Sequence, residues 1–156
     1  MYKKILVPLD GSELAECVLP HVEHIVKGGG VESVTFVSAA EPVHVSIRGS
    51  EGYTFTAEDW RQLESESRDA SAKYLRQLVS RIKYVGVNIQ TEVLVGRAAD
   101  SIADYATKDA FDLITIATHG RSGVSRWVWG SVADKILRSA CVPVLMIRAP
   151  GCVPGI

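Results

Sequence analysis

Five short apolar runs, separated by segments of helical spacing, constrain this chain more than any other feature. The runs are Lys3 to Leu9, Ser33 to Ala40, Val87 to Val95, Asp112 to Ala117 and Val142 to Ile147. The first is rich in Ile, Leu and Val, and the second is β-branched and aromatic at its centre, as buried parallel strands require. The third alternates apolar and polar residues at its start and becomes continuous at its end. Between the runs lie helical segments at about 12–27, 57–84, 98–107 and 131–139. Strands alternating with helices imply a mostly parallel sheet covered on both faces. The expected fold is therefore α/β, a three-layer sandwich with a five-stranded parallel sheet. A length of 156 residues with 47% hydrophobic residues suits one domain, read as 1–148. Residues 149–156 carry two Pro and two Gly and read as a flexible tail.

Local signals refine the segments. Ser12 is placed to cap the first helix, whose face carries Leu14, Val18, Val22 and Ile25. Pro20 inside it predicts a kink or a shortened first half, and Gly28-Gly29-Gly30 predicts its end. The longest helix carries Trp60, Leu63, Ser67, Ala70, Tyr74, Leu78, Ile82 and Val85 at steps of three and four, a stripe for packing on a sheet. Glu41 to Thr56 has little periodicity and reads as a long connection suited to a lid or a partner contact.

Charge and cysteine usage narrow the function classes. Lys and Arg number 17 against 18 Asp and Glu, a formal net charge of -1, which argues against a nucleic-acid binder relying on a basic surface. No apolar run reaches the roughly 18 residues that span a bilayer, so no membrane partner is expected. The apolar stretch after Lys3-Lys4 is too short for a signal-peptide core, which points to the cytoplasm. Three widely spaced cysteines argue against a disulfide framework or a zinc knuckle. Cys17 and Cys141 are expected to be buried thiols, and Cys152 to lie exposed in the tail. His21 and His24 share a helix face, yet no third ligand accompanies them, so no metal site is assigned.

The chemistry concentrates in residues 113–132, LITIATHGRSGVSRWVWGSV. A strand, a glycine-bearing loop and a helix start make a place for an anion, because glycines admit close backbone approach and the first helical N–H groups have no intrahelical partner. Phosphate is the obvious anion, which makes a nucleotide the first hypothesis. Neither G-x-x-x-x-G-K-[ST] nor, after the first strand, G-x-G-x-x-G is present. The loop instead reads G-x-x-G-x₆-G-S, from Gly120 and Gly123 to Gly130-Ser131. Parallel sheets bind ligands beyond the strand C-termini, where strand order reverses. If the first and fourth strands are neighbours there, Pro8-Leu9-Asp10 and Ala117 to Ser131 face one crevice.

Three blocks, KKILVPLDGS, VLVGRAADSIADYA and DLITIATHGRSGVSRWVWGSVADKILRSACVPVLMIR, resemble the universal stress protein family over nearly the whole length. The resemblance implies a Rossmann-like adenine-nucleotide-binding fold that takes ATP, with AMP or cyclic AMP as alternatives and Mg²⁺ as a companion. It also implies a homodimer pairing the last strands, here Val142 to Ile147. The family's G-x₂-G-x₉-G-[ST] pattern falls on Ala117, Gly120, Gly130 and Ser131, with Ala117 in place of the first glycine. By the same resemblance Gly120, Arg121 and Ser122 wrap the phosphates, while Gly130 and Ser131 supply N–H groups and a hydroxyl. Pro8, Leu9 and Asp10 line the base and ribose side, and Ala39 contacts the base. Ile116, His119, Val132 and Ala133 complete the expected site. His119 reads as a loop hydrogen-bonding residue, and Trp127 and Trp129 as packing or dimer-facing. No nucleophile or general base with an orienting partner stands out, so no catalytic residue is assigned. The expectation is a regulatory sensor or switch in stress response, with at most slow ATP hydrolysis. A nucleotide-free dimeric interaction module is the alternative.

Overall fold

The computed structural model describes residues 2–41, 56–118 and 131–149. Five parallel strands form one sheet in the order β3-β2-β1-β4-β5. These are β1 (Lys4–Pro8), β2 (Ser33–Ala40), β3 (Asn88–Val95), β4 (Leu113–Ala117) and β5 (Val144–Ile147). The helices are α1 (Leu19–Lys27), α2 (Ala57–Arg81), α3 (Ala98–Lys108) and α4 (Ser131–Ser139).

Strand periodicity divides the core into two. Ile5, Val7, Val34, Phe36 and Leu113 join Val18, Val22, Leu75 and Leu78 on the face covered by α1 and α2. Leu6, Val37, Ile114 and Ile116 join Ile102, Ala106 and Ile136 on the face covered by α3 and α4. Right-handed crossovers account for this division. The chain steps outward through β1, β2 and β3, then returns to the other side of β1 for β4 and β5. Connections that step in opposite directions place their helices on opposite faces. The central strands are apolar on both sides, whereas edge strand β3 has only exposed and half-buried residues. No described helix is long and apolar enough to cross a membrane.

Helix ends follow local chemistry. The first helical segment begins as a 3₁₀ turn, Ala15–Val18, and Pro20 sits in the first turn of α1, where its missing N–H leaves no ladder bond broken. That is the shortened first half expected from Pro20. A capping box starts α2: Thr56 Oγ1 accepts from Asp59 N–H (3.2 Å), and Asp59 Oδ2 accepts from Thr56 N–H (2.7 Å). The helix stops at Arg81, because Ile82 is extended (φ -91°, ψ 134°). Val85 therefore falls in the following turn and is 94% exposed, contrary to its expected place on the packing stripe. Cys141, expected to be buried, is exposed in the corner between α4 and β5, and Cys17 is half-buried. Ala149 is buried, and its N–H donates to Thr118 Oγ1 (3.4 Å), so the chain is still anchored where the tail was expected to begin.

Candidate functional site

β1 and β4 are direct neighbours, paired at Ile5↔Leu113 and Leu6↔Ile114, so strand order reverses between them. At their C-terminal ends lies a cleft of about 570 Å³. The crevice expected from the two strand ends is present. Pro8, Leu9 and Asp10 line it from β1, Ala39 from β2, and Ile116 and Ala117 from β4. Ser131, Val132 and Ala133, the first turn of α4, complete that group. His119, Gly120, Arg121, Ser122 and Gly130 lie outside the described residues, as do Trp127 and Trp129.

The β1 end is held by its own polar groups. Leu9 N–H donates to Val37 O (2.8 Å), extending the pairing with β2 one residue past the strand. Asp10 Oδ1 accepts from Ser12 N–H (3.0 Å) and from the Ser12 hydroxyl (2.6 Å). Ser12 Oγ in turn accepts from Ala15 N–H (3.2 Å), so Ser12 holds the turn that leads into the 3₁₀ segment, whereas α1 itself, which it was expected to cap, begins at Leu19 with Val18 as its N-cap. Gly11, between the two, has φ +83°, a backbone that L side chains seldom adopt. Asp10 is thus fixed on the cleft wall by the turn it organises.

At the β4 end, Thr118 N–H donates to Ile147 O (2.8 Å). Ala117 is 6% exposed, and its methyl joins the core cluster on the α1 and α2 face. The extra carbon relative to glycine is therefore largely absorbed by packing. The first turn of α4 brings backbone N–H groups and the positive end of the helix dipole to the same wall. Among the described lining residues there is no Lys, Arg or His. Within that described wall, backbone N–H groups and hydroxyls are what it offers an anion.

The α2 wall was not anticipated. Ser67, Ala70, Ser71 and Tyr74 face the cleft, while Leu75 and Leu78 carry the packing against the sheet. Small residues in the middle of the stripe are the signal that marks it: bulky Trp60 and Leu63 precede them, and Leu78 follows. The two serines also differ from hydroxyl residues in other helices. Ser101 donates to Arg97 O (3.0 Å), Thr107 to Ala103 O (3.0 Å) and Ser139 to Lys135 O (2.8 Å), each satisfying itself on its own helix. Ser67 and Ser71 have no hydrogen-bond partner among the described residues and border the cleft.

Below this wall, Tyr74 OH donates to Glu16 Oε1 (3.1 Å), and Arg81 Nη2 donates to both Glu16 oxygens at 3.2 Å. Burial, then the charges of Glu16 and Asp10, push the Tyr74 hydroxyl well above its ordinary value, so it remains a donor. The network ties α2 to the turn after β1. On the far side, Glu41 Oε1 accepts from Ala98 N–H (3.0 Å), capping α3 with a carboxylate from the end of β2. Glu41, Ala98 and Ile102 also line the cleft.

A five-stranded parallel sheet between helical layers, with a cleft at its switch point, defines a Rossmann-like α/β protein. The family model for the universal stress protein family matches residues 1–148, and the chain belongs to that family. Universal stress protein MJ0531 of Methanocaldococcus jannaschii is 30% identical over 152 residues, covering 96% of this chain and 84% of that relative. The solved structure of MJ0577 from the same organism superposes with a TM-score of 0.82 at 24% identity, covering 97% of this chain and 99% of that one. An Arabidopsis thaliana family member solved with AMP bound has a TM-score of 0.63 at 17% identity, covering 96% and 93%. A universal stress protein in complex with cAMP gives 0.57 at 17%, covering 95% and 98%. At these identities the solved structures establish the shared fold.

Proposed function

We propose that this protein is a cytoplasmic adenine-nucleotide-binding regulator of a stress response, a sensor or switch whose ligand sits in the cleft between β1 and β4. One observation carries the reading: the β1 end, the β4 end and the first turn of α4 converge on a single cleft at the switch point. Relatives solved with AMP and with cAMP support an adenine nucleotide as the ligand class. In this reading the phosphates lie at Ser131, Val132 and Ala133, with Gly120, Arg121, Ser122, Gly130 and His119 closing over them. Pro8, Leu9 and Asp10 hold the ribose side, Ala39 meets the base, and Ile116 and Ala117 form the floor. ATP is the ligand proposed, with Mg²⁺ as its companion.

Ligand binding is the proposed activity, without substantial catalysis. Asp10 is committed to the Ser12 turn, and Tyr74 is held protonated against Glu16; neither is poised as a base. A second copy is proposed to pair along edge strand β5, where Leu145 is 37% exposed and Leu137 of α4 is 45% exposed. Mass spectrometry of gently purified protein, followed by titration with ATP, ADP, AMP and cyclic AMP, tests the reading. A co-purifying adenine nucleotide and saturable binding are expected. No saturable binding by any of the four overturns it.

A further inference from the structure

Glu41 is the first residue after β2 and stands on the cleft wall with Ala39 and Ala98. Its Oε1 is occupied by the N–H of Ala98, the first residue of α3, at 3.0 Å. That bond neutralises the positive end of α3 with the chain's own carboxylate. It also orients the group, leaving Oε2 without a hydrogen-bond partner among the described residues. An ionised carboxylate only accepts hydrogen bonds. The wall at the end of β2 therefore presents a fixed acceptor with no donor beside it on the same side chain.

The two helix N-termini at the cleft are consequently unequal. The end of α3 is filled by Glu41, whereas Asp134, the acid in the first turn of α4, is turned to Arg138 (3.0 Å). A phosphate is repelled from the first and accepted at the second. Neighbouring strands lie about 4.8 Å apart, so the β2 end is roughly 10 Å from the β4 end, across β1. That is about the reach of a nucleoside from its 5′-phosphate to the far edge of its base. A nucleotide anchored at α4 thus brings its base edge to Ala39 and Glu41.

We infer that Glu41 is the specificity-determining residue for the base, accepting a hydrogen bond from an exocyclic amine and rejecting a keto oxygen in its place. The chemistry selects adenine over hypoxanthine in otherwise identical nucleotides. The inference rests on the nucleotide reading of the cleft and adds to it a side chain that reads the base. A site that hydrogen-bonds the exocyclic amine disfavours an analogue with a keto oxygen at that position, because the carboxylate oriented there by Ala98 then faces an acceptor and must shift to the neighbouring ring N–H to regain a bond.

Calorimetric titration with ATP against ITP, and AMP against IMP, on wild type, Glu41→Gln and Glu41→Ala tests it. Gln retains an acceptor for Ala98 N–H and replaces the second oxygen with an amide that donates to a keto group. Wild type is expected to prefer the amino base by at least about tenfold. In Glu41→Gln the preference should turn toward the keto base, and in Glu41→Ala it should be lost. Thermal melts confirm that each variant is folded, and the alanine variant decides if the glutamine variant is not. Binding of both bases with an unchanged ratio in the folded variants, or equal binding by wild type, overturns this inference and leaves the nucleotide reading standing. Failure of wild type to bind either base removes both.

Discussion

Ala110 is the described non-glycine residue held at positive φ, 51°, and replacing it with glycine should stabilise the protein. The position ends α3 in a Schellman motif. Phe111 N–H donates to Ala106 O (3.0 Å), and Ala110 N–H donates to Thr107 O (3.3 Å). The hydrophobic contact that accompanies such caps is also present, with the Phe111 ring 5.5 Å from that of Tyr105. An L-residue in the left-handed region costs roughly 1–2 kcal/mol. Glycine avoids that strain but loses roughly 0.5–1 kcal/mol more in backbone entropy on folding. The difference favours Ala110→Gly by about 0.5–1 kcal/mol. For a chain of this size each kcal/mol moves Tm by about 2–4 °C, so a rise of roughly 1–4 °C is expected in a calorimetric melt. Ala110→Val should lower Tm, since a β-branched side chain fits positive φ worse. Nucleotide affinity should not move with either variant, because this corner lies at the opposite end of β4 from the cleft. A Tm unchanged or lowered by glycine would refute the argument from backbone strain.

Ala70→Trp fills the cleft from the α2 wall at little cost to the helix; a loss of nucleotide affinity exceeding tenfold with Tm nearly unchanged is expected by titration and melting, and full affinity would exclude the cleft as the site. Burial first, then the Glu23 charge, push the Tyr84 hydroxyl up to about 12. A pKa raised in the folded state contributes stability that is complete below the ordinary value near 10 and is lost as pH rises through about 12. The urea midpoint should therefore fall over that alkaline window, and fall less steeply in Tyr84→Phe. Leu145→Arg places a charge on the exposed edge strand and should shift the protein from dimer to monomer in light scattering, while a wild-type monomer at micromolar concentration would sink the β5 pairing.

The sheet was legible because local and global signals agree. β2 and α4 have the bounds their residues suggest, and Pro20 marks the true start of α1. Errors fall where tertiary surroundings decide. Helical spacing continues through Ile82 and Val85, yet the chain turns extended at Ile82 and reaches Gly86 at φ +77°, so the period outlasts the helix. Cys141 is a small hydrophobe by type, but its corner between α4 and β5 is open to solvent. Neither fact is written in the neighbouring residues.

The cleft was legible by halves for a physical reason. Residues at the ends of β1 and β4 are marked by chain direction, since a strand end followed by a glycine or a helix start is visible locally. The α2 and Glu41 walls depend on which helix crosses over which strand, which periodicity does not encode. A trace remains in Ser67, Ala70 and Ser71, too small for a stripe whose purpose is packing. Handedness then sets the cleft's polarity. Because β3 to β4 and β4 to β5 step the same way, α3 and α4 lie on one face and present both N-termini at the C-terminal edge of the sheet. Two equivalent positive ends would leave the direction of an anionic ligand ambiguous. Glu41, delivered from β2 to the N–H of Ala98, removes that equivalence, so in the proposed reading the acidic half of the cleft at Asp10 and Glu41 faces a single helix end, at Ser131, open to an anion.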